Sequence, residues 1–369
     1  MTTENLLTLD RISKYFGKNL AVSGLSLGIR QGEIFTLLGP SGCGKTTTLR
    51  QIAGFENPNE GEIRIREQIL VSPARRIHVP PEKRNMGMVF QSYAIWPHLT
   101  VFEIVAYPLR ARRYAKSEIK ERVLRVLDQV GLQGVEDRPG MALSGGQQQR
   151  VAVARALVYE PEILLLDEPF SNLDIKLREQ MRVELKLLQR RLGITVILVT
   201  HDQMEALNLS DRVAVMNRGS IEQVGRPRDL YEHPQSLFVR DFIGTNLKFR
   251  GEVEAVMSNG DVRVILPQGG VSLLCANHRE GRFQAGDRVV VAIRPEDVQL
   301  AEGVSEDEPN RLEALLDAQL FMGERVECFL SINNEKIIAY ISRKITLEEG
   351  QKVALYLPKE ALSLWEAER

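Results

Sequence analysis

The chain has 369 residues, a formal net charge of −1 and 26% charged residues, a balance that gives no overall electrostatic case for binding nucleic acid. Its three cysteines, Cys43, Cys275 and Cys328, are widely spaced, which argues against a disulfide framework or a zinc cluster and indicates a reducing cytoplasm. No apolar stretch approaches the ~20 residues of a membrane-spanning helix, and the start of the chain lacks a secretion-signal pattern, so we expect other chains to do any spanning.

Up to residue 242, short apolar runs alternate with helical periods. EIFTLL, PEILLLD, TVILVT and RVAVM read as strands without polar alternation, and helical stretches separate them. Such strands are typical of a mostly parallel sheet that is covered on both faces. The helix after Asp174, the last residue of SNLD, repeats apolar side chains at the spacing of one buried face: Met181, Leu185, Leu188 and Leu192. We therefore predict an α/β domain over residues 1–242.

GPSGCGKTT is the first motif with clear chemistry, because it follows a predicted strand and opens a predicted helix. Its glycines let backbone N–H groups face phosphates, Lys45 reaches the two terminal phosphates, and the Thr46 hydroxyl can bind Mg²⁺. We interpret Cys43 as a small loop residue that presents its N–H, not as a redox thiol. The predicted ATP contacts are Gly39, Pro40, Ser41, Gly42, Cys43, Gly44, Lys45, Thr46 and Thr47.

LSGGQQQR offers a second anion-binding helix start. Its Ser-Gly-Gly turn, beginning at Ser144, precedes the helical run QQQRVAVARALV. Free N–H groups and the helix dipole would both face an anion there. A single chain thus carries two such helix starts.

ILLLDEP predicts the metal partner and the base. A buried strand delivers Asp167 to its carboxyl end, where we expect it to hold Mg²⁺ through water. Glu168 can face the γ-phosphate and polarise the attacking water. TVILVTHD places His201 at the end of another buried strand, where its ring can bond to the γ-phosphate. An ordinary helix start for the acids and a structural histidine are the alternatives.

From residue 243 to residue 369 the pattern changes to short strands and turns, and helical periods nearly vanish. GDRVVVAIRPEDVQL and QKVALYLP are examples, and EGVSEDEPN reads as an acidic loop. We predict a separate, all-β C-terminal domain, a small OB-like barrel.

In this order, the four motifs resemble those of the nucleotide-binding subunits of ABC transporters, over residues 1 to about 240. The resemblance implies a P-loop ABC ATPase domain with a helical subdomain, and ATP and Mg²⁺ as cofactors. It also implies a head-to-tail homodimer, in which one chain's signature loop closes on the γ-phosphate held by the other. That loop comprises Ser144, Gly145, Gly146 and Gln147.

The resemblance assigns three further positions. Gln91 in VFQSYAIWPHLT would reach the metal and the attacking water, an ordinary strand-end amide being the alternative. Asp174 ends SNLD, which resembles the loop that crosses the dimer interface, although the family often has alanine where Asn172 stands. In SKYFG, Phe16 would stack on adenine; Tyr15 is the second choice, and a core role for either remains open.

The loop after Gln91 borders the groove that, in the family, receives the membrane subunit. Tyr93, Ile95 and Trp96 offer apolar and aromatic anchors in that loop, if Trp96 is not buried in the chain's own core.

PPEKRNMGMVFQSYAIWPHLT and the tail segment RPEDVQL resemble the ATPases of bacterial binding-protein-dependent importers. Their tails contribute to dimerisation and regulation. The implied partners are two transmembrane permease subunits and, indirectly, an extracytoplasmic solute-binding protein, with the chain peripheral on the cytoplasmic face of the inner membrane. Ferric iron, a polyamine or a phosphonate is the expected substrate. The alternative is a soluble ABC ATPase that acts on nucleic acid or ribosomes, but the second cassette or inserted coiled coil usual there is lacking.

Overall fold

The computed structural model describes residues 5–267, 271–276, 282–306, 308–332 and 335–367. Two compact units divide the chain, the first over residues 1–235 and the second over residues 236–369. The last helix of the predicted ATPase domain, Leu237–Phe242, clusters with the second unit.

The first unit contains a mixture of strands and helices. Its strands are β1 (Asn5–Phe16), β2 (Asn19–Arg30), β3 (Ile34–Leu38), β4 (Glu60–Ile65), β5 (Gln68–Ser72), β6 (Ile77–His78), β7 (Met86–Val89), β8 (Ile163–Asp167), β9 (Thr195–Thr200), β10 (Arg212–Asn217) and β11 (Ser220–Gly225). Its helices are α1 (Lys45–Ala53), α2 (Val101–Ala111), α3 (Lys116–Gln129), α4 (Gly145–Leu157), α5 (Ile175–Leu192), α6 (Gln203–Leu209) and α7 (Pro227–Glu232), with 3₁₀ turns at Pro81–Lys83 and Gly140–Ala142.

The central sheet has the strand order β11-β10-β3-β9-β8-β7, and every neighbouring pair except β10–β11 is parallel. Strands β3, β8 and β9 are buried along their whole length, as expected for a sheet covered on both faces. This confirms the predicted parallel sheet. Because the strands run the same way, the segments after β3, β8 and β9 emerge at one edge.

A second sheet, antiparallel with the order β2-β1-β4-β5-β6, was not anticipated from the sequence. In its two longest strands, β1 and β2, the sequence lacks the regular alternation of apolar and polar side chains that normally indicates a half-buried strand. The β1–β2 register shifts between Leu9 and Ile12, and Arg11 there has a positive φ of 47°. Irregularities of this kind break the period of two on which sequence recognition depends.

Helices α2, α3 and α4 pack together beside the central sheet and share its core with α5. Thr100 begins α2 with a capping box, since its hydroxyl accepts from the Glu103 N–H while the Glu103 carboxylate accepts from the Thr100 N–H. On α5, Met181 and Leu185 are buried, and the two other residues of the predicted face pack against the same core. The predicted amphipathic helix is therefore confirmed.

Arg84 fixes the far end of α1, the helix that begins in the phosphate loop. Its guanidinium is buried and donates to the carbonyl oxygens of Gln51 (2.7 Å), Ile52 (2.8 Å) and Val79 (2.8 Å). Burial lowers the pKa of Arg84 to about 10. A cation at a helix C-terminus satisfies unpaired carbonyl groups and complements the helix dipole. Gly54 then ends the helix in the left-handed conformation, with φ at 91°.

The second unit is almost entirely β structure. Its elements are α8 (Leu237–Phe242), β12 (Leu247–Val256), β13 (Val262–Ile265), β14 (Ser272–Cys275), β15 (Arg288–Ile293), a 3₁₀ turn at Pro295–Asp297, β16 (Gln299–Leu300), β17 (Arg311–Phe321), β18 (Arg325–Ile332), β19 (Glu335–Ser342), β20 (Lys352–Tyr356) and β21 (Ser363–Glu366).

Two antiparallel sheets, β14-β13-β12-β15-β21 and β16-β20-β17-β18-β19, face one shared core in this unit. Phe249 and Val291 contribute to that core from the first sheet, and Leu316 and Leu355 from the second. The predicted all-β tail is confirmed. Within the described ranges of the whole chain, no helix is both long enough and apolar enough to cross a membrane.

Candidate functional site

The phosphate loop, residues 39–47, connects β3 to α1 and depends on its glycines for a close approach to neighbouring backbone. A Cβ at Gly44 would lie 2.5 Å from the Ala21 carbonyl oxygen, and one at Gly39 would lie 2.4 Å from that of Met216. Gly44 also has a φ of 101°, a conformation that side chains disfavour. The loop therefore lies directly against the backbone at Ala21 and Met216, and the N-terminus of α1 lies at its end.

Lys45 is held inside this loop. Its side chain is buried, and Nζ donates to the carbonyl oxygens of Gly39 (2.7 Å) and Pro40 (2.9 Å). The Cys43 N–H, predicted to face phosphate, donates to the Pro40 oxygen at 3.3 Å. The Cys43 thiol is buried, and burial raises its pKa. The N–H groups of the first turn of α1 have no intrahelical partner, so they remain available to an anion.

Thr46 and Asp167 meet across the sheet edge. The Thr46 hydroxyl donates to the Asp167 carboxylate at 3.1 Å, and burial raises the pKa of Asp167 while this bond lowers it. A hydroxyl beside a buried carboxylate offers oxygen ligands, which Mg²⁺ prefers, usually one or two from protein with phosphates and water completing the shell. The described ranges hold no cluster of three His, Cys, Asp or Glu side chains that could bind a metal without such help.

Glu168 lies between two of the predicted site residues. Gln91 Nε2 donates to Glu168 Oε2 at 3.1 Å, and His201 Nδ1 lies 3.0 Å from Glu168 Oε1. The backbone of Glu168 has a positive φ of 46°, which is uncommon for a side chain of this size and is frequent at functional sites. Its N–H donates to the Val199 carbonyl at 2.9 Å, which holds the strained turn in place.

A cavity of about 390 Å³ opens beside Gln91 and Asp167. Its lining includes both the predicted metal residue and the predicted glutamine: Arg50, Phe90, Gln91, Ser92, Asp167 and Asn172.

The two candidate aromatics for adenine lie at the end of β1. Phe16 is 47% exposed and Tyr15 is 41% exposed, so neither belongs to the core. The Lys14 ammonium lies 5.0 Å from the centre of the Phe16 ring. The hairpin that follows returns through Ala21, whose carbonyl contacts the phosphate loop. Both rings are therefore partly exposed to solvent at the end of this strand.

Ser144 begins α4 as its N-cap in a capping box. Its hydroxyl accepts from the Gln147 N–H at 3.4 Å, and its own N–H donates to Gln147 Oε1 at 3.1 Å. This leaves the N–H groups of Gly145 and Gly146 without intrahelical partners. Asp174 is the N-cap of α5, where its carboxylate accepts from the Leu177 N–H at 3.0 Å.

The position of Tyr93 shows that one prediction for the glutamine loop, residues 91–96, is wrong. Sequence reasoning placed its ring on the surface as an anchor, but the side chain is only 5% exposed, and its hydroxyl donates to the Pro169 carbonyl at 3.1 Å. Burial raises the pKa of Tyr93 to about 12. The ring belongs to the chain's own core because the turn at Tyr93 and Ala94, with φ of 58° and 48°, directs it inward.

Arg155 of α4 stabilises that strained turn and was missed by sequence reasoning. Its guanidinium is buried and donates to the carbonyl oxygens of Tyr93 (2.7 Å) and Ala94 (2.5 Å). The same group lies 5.3 Å from the centre of the Trp96 ring, which is half-buried and contacts Tyr107 with the ring centres 4.9 Å apart. The glutamine loop is therefore joined to the helix that begins at Ser144.

Comparison with known proteins identifies the two units. The ABC transporter family model matches residues 22–171, and the TOBE domain model matches residues 291–365. The chain is 46% identical over 361 residues to the spermidine/putrescine import ATP-binding protein PotA of Rubrobacter xylanophilus, covering 97% of this chain and 91% of the relative. It is 47% identical over 289 residues to the trehalose/maltose import ATP-binding protein MalK of Thermococcus litoralis, covering 77% and 76%.

A solved structure, cbiO1 from Clostridium perfringens, described as part of the ABC transporter complex cbiONQ, is similar with a TM-score of 0.56 and 28% identity. The match covers 62% of this chain and 90% of cbiO1.

The burial of Tyr93 predicts a loss of stability. Tyr93→Ala should lower the free energy of unfolding by about 3–5 kcal/mol, because it removes a packed ring and leaves the Pro169 carbonyl unpaired. Tyr107→Ala is the matched control: that ring is 53% exposed, and we expect a loss of about 1 kcal/mol or less. Urea unfolding monitored by circular dichroism measures both. Equal losses for the two variants would contradict the buried position of Tyr93.

Proposed function

The chain belongs to the ABC transporter family as an ATP-binding import subunit, an ATPase coupled to transport, and we propose that Glu168 is the general base of its hydrolysis. The observation that carries this proposal is the pair of contacts that Gln91 and His201 make to the Glu168 carboxylate. A carboxylate held from both sides, one residue after the proposed metal residue Asp167, can orient the attacking water and take its proton.

ATP would enter against the phosphate loop. Lys45 would exchange the carbonyl oxygens of Gly39 and Pro40 for phosphate oxygens, since its ammonium already points into the loop. The N–H groups at the start of α1 would bind the same phosphates, and Phe16 would stack on the base. These contacts involve the complete set predicted from the sequence: Gly39, Pro40, Ser41, Gly42, Cys43, Gly44, Lys45, Thr46 and Thr47.

Thr46 would hold Mg²⁺ directly and Asp167 would hold it through water, with Gln91 as a further ligand. When bound, Mg²⁺ stabilises the negative charge that develops during phosphoryl transfer. With ATP present, Gln91 would reach the metal and the water, and His201 the γ-phosphate, from their positions beside the Glu168 carboxylate. That carboxylate would accept the water's proton.

We further propose that the ATP site is completed by a second copy of the chain. The exposed helix start at Ser144, with the unpaired N–H groups of Gly145 and Gly146, suits a phosphate group. In a head-to-tail dimer, these residues and Gln147 would close on ATP held by the partner, and Asp174 would lie in the interface-crossing loop. We assign the ATPase function to residues 1–242, and dimerisation and regulation to residues 243–369.

The partners follow from the same proposal. The chain would bind two transmembrane permeases at the cytoplasmic face of the inner membrane, and an extracytoplasmic binding protein would deliver the solute. Of the substrates expected from the sequence, a polyamine is favoured, because relatives named for spermidine and putrescine import align with 43–49% identity. A soluble role on nucleic acid or ribosomes is disfavoured by the import relatives.

Glu168→Gln should reduce kcat for ATP by ~10²–10⁴-fold while ATP binding persists, because the amide keeps the shape of the side chain but cannot take a proton. A coupled phosphate-release assay and equilibrium nucleotide binding measure the two effects. Glu179→Gln, the same change at an exposed position of α5, is the control and should match the wild type. Near-normal turnover by Glu168→Gln removes this residue from the mechanism.

Lys45→Ala, in contrast to Glu168→Gln, should weaken nucleotide binding itself.

A mixing experiment tests the shared site. Chains carrying Ser144→Arg and chains carrying Lys45→Ala should each be inactive, since the first blocks closure and the second cannot hold ATP. Their mixture contains heterodimers with one intact composite site, so its ATPase should exceed the sum of the separate chains. Light scattering should also detect ATP-dependent dimers in the mixture. If the mixture recovers neither ATPase activity nor ATP-dependent dimers, while wild-type chains show both, Ser144 does not act on the partner's ATP.

Uptake by cells tests the substrate. A strain producing the chain with its permeases should take up labelled spermidine or putrescine, and replacement of the chain by Glu168→Gln should abolish that uptake. Labelled ferric iron, phosphonate and trehalose serve as comparison solutes. Loss of uptake for one of these three, with polyamine uptake unchanged, would assign a different substrate.

A further inference from the structure

The interface loop, residues 171–174, makes two contacts, one to the glutamine loop and one to α5. At one point, Asn172 Nδ2 donates to the Gln91 carbonyl oxygen at 2.8 Å. At the other, Arg178 Nη2 donates to the Leu173 carbonyl oxygen at 3.2 Å. Adjacent residues of this loop thus contact the glutamine loop on one side and α5 on the other.

Arg178 continues the connection to the histidine. Its Nη1 lies 3.3 Å from Asp202 Oδ2, and Asp202 follows His201 directly. The other oxygen of Asp202 accepts from the Met204 N–H at 2.8 Å and so caps α6. Because one end of the Asp202 carboxylate is fixed to α6 and the other to Arg178, the backbone next to His201 has little freedom.

These contacts close a ring. Gln91 and His201 both contact the Glu168 carboxylate. Asn172 contacts the backbone of Gln91, and Arg178 contacts the side chain of Asp202, the residue after His201. A planar guanidinium can serve two acceptors at fixed angles, whereas an ammonium on a flexible stem cannot hold the same geometry.

We propose that Asn172 and Arg178 are positioning residues, which orient Gln91 and His201 for hydrolysis without touching ATP. The proposal rests on the roles proposed above for Gln91 and His201. Misplacement of a catalytic group by about 1 Å can slow a reaction by about 100-fold, so modest contacts are sufficient for such a role.

The effect should appear in turnover and hardly at all in stability. The side chains of Arg178 and Asp202 are 28% and 25% exposed, and ion pairs of this kind contribute about 1 kcal/mol or less to folding. Neither Asn172 nor Arg178 belongs to the phosphate loop, so the KM for ATP should change little.

The test uses kcat and KM of the purified full-length chain. Arg178→Met and Asn172→Leu should each lower kcat about tenfold with KM within about twofold of wild type. Arg178→Lys should recover only part of the loss. Arg190→Met removes an exposed arginine from the same helix and should leave both constants unchanged. Should Arg178→Met fold poorly, Asp202→Asn breaks the same contact while keeping a residue that caps helices well.

Double variants separate positioning from a general structural effect. In a His201→Ala background Arg178→Met should have almost no further effect, and in a Gln91→Ala background the same should hold for Asn172→Leu. A full, independent loss of kcat in these backgrounds overturns the proposal, as does wild-type kcat in both single variants. If Gln91→Ala and His201→Ala themselves turn over normally, the proposed function of those residues fails first.

Discussion

The register of three parallel strands, β3, β8 and β9, brings the proposed catalytic residues to one edge of the central sheet. Leu38 at the end of β3 pairs with Thr200 at the end of β9, and Asp167 at the end of β8 pairs with Val199. The carboxyl ends of these three strands therefore lie within one residue of each other along the strand direction, so the segments that follow them leave the sheet side by side. The phosphate loop, Glu168 and His201 all begin at that level, which explains contacts of about 3 Å between residues far apart in sequence.

Desolvation affects the charged groups at this edge of the central sheet. Burial raises the pKa of Asp167, and the Lys45 ammonium donates to carbonyl oxygens and to the Cys43 sulfur of its own loop. In both cases a charged group is shielded from water and has no ion of opposite charge as its principal partner. Phosphates and Mg²⁺ would supply those charges together, so binding of nucleotide and metal should reinforce each other.

The residues recognisable from sequence are those that stand directly at strand ends or helix starts. Asp167 is preceded by four apolar residues and Lys45 by a glycine loop, so local pattern alone located them. Arg155 has no such mark: it resembles any basic residue of a helix, and its acceptors, Tyr93 and Ala94, are 62 and 61 positions away. Tyr93 was misplaced for a related reason, since a positive φ decides where its ring points.

The two helix starts differ in what their own chain supplies to them. At α1, the loop, Lys45 and the Thr46–Asp167 contact all lie at the N-terminus, so the groups proposed to bind phosphate and the groups proposed to bind the metal come from one chain. At α4, Ser144 and Gln147 hydrogen-bond to each other in the capping box. Leu177 packs against Gly146. Ser144 and Gly145 are exposed and Gly146 is buried, and no described hydrogen bond or ion pair places a lysine or a carboxylate at this helix start. Such a start can contribute to a phosphate site only as the second half of one, which is the physical reason to expect a partner chain there.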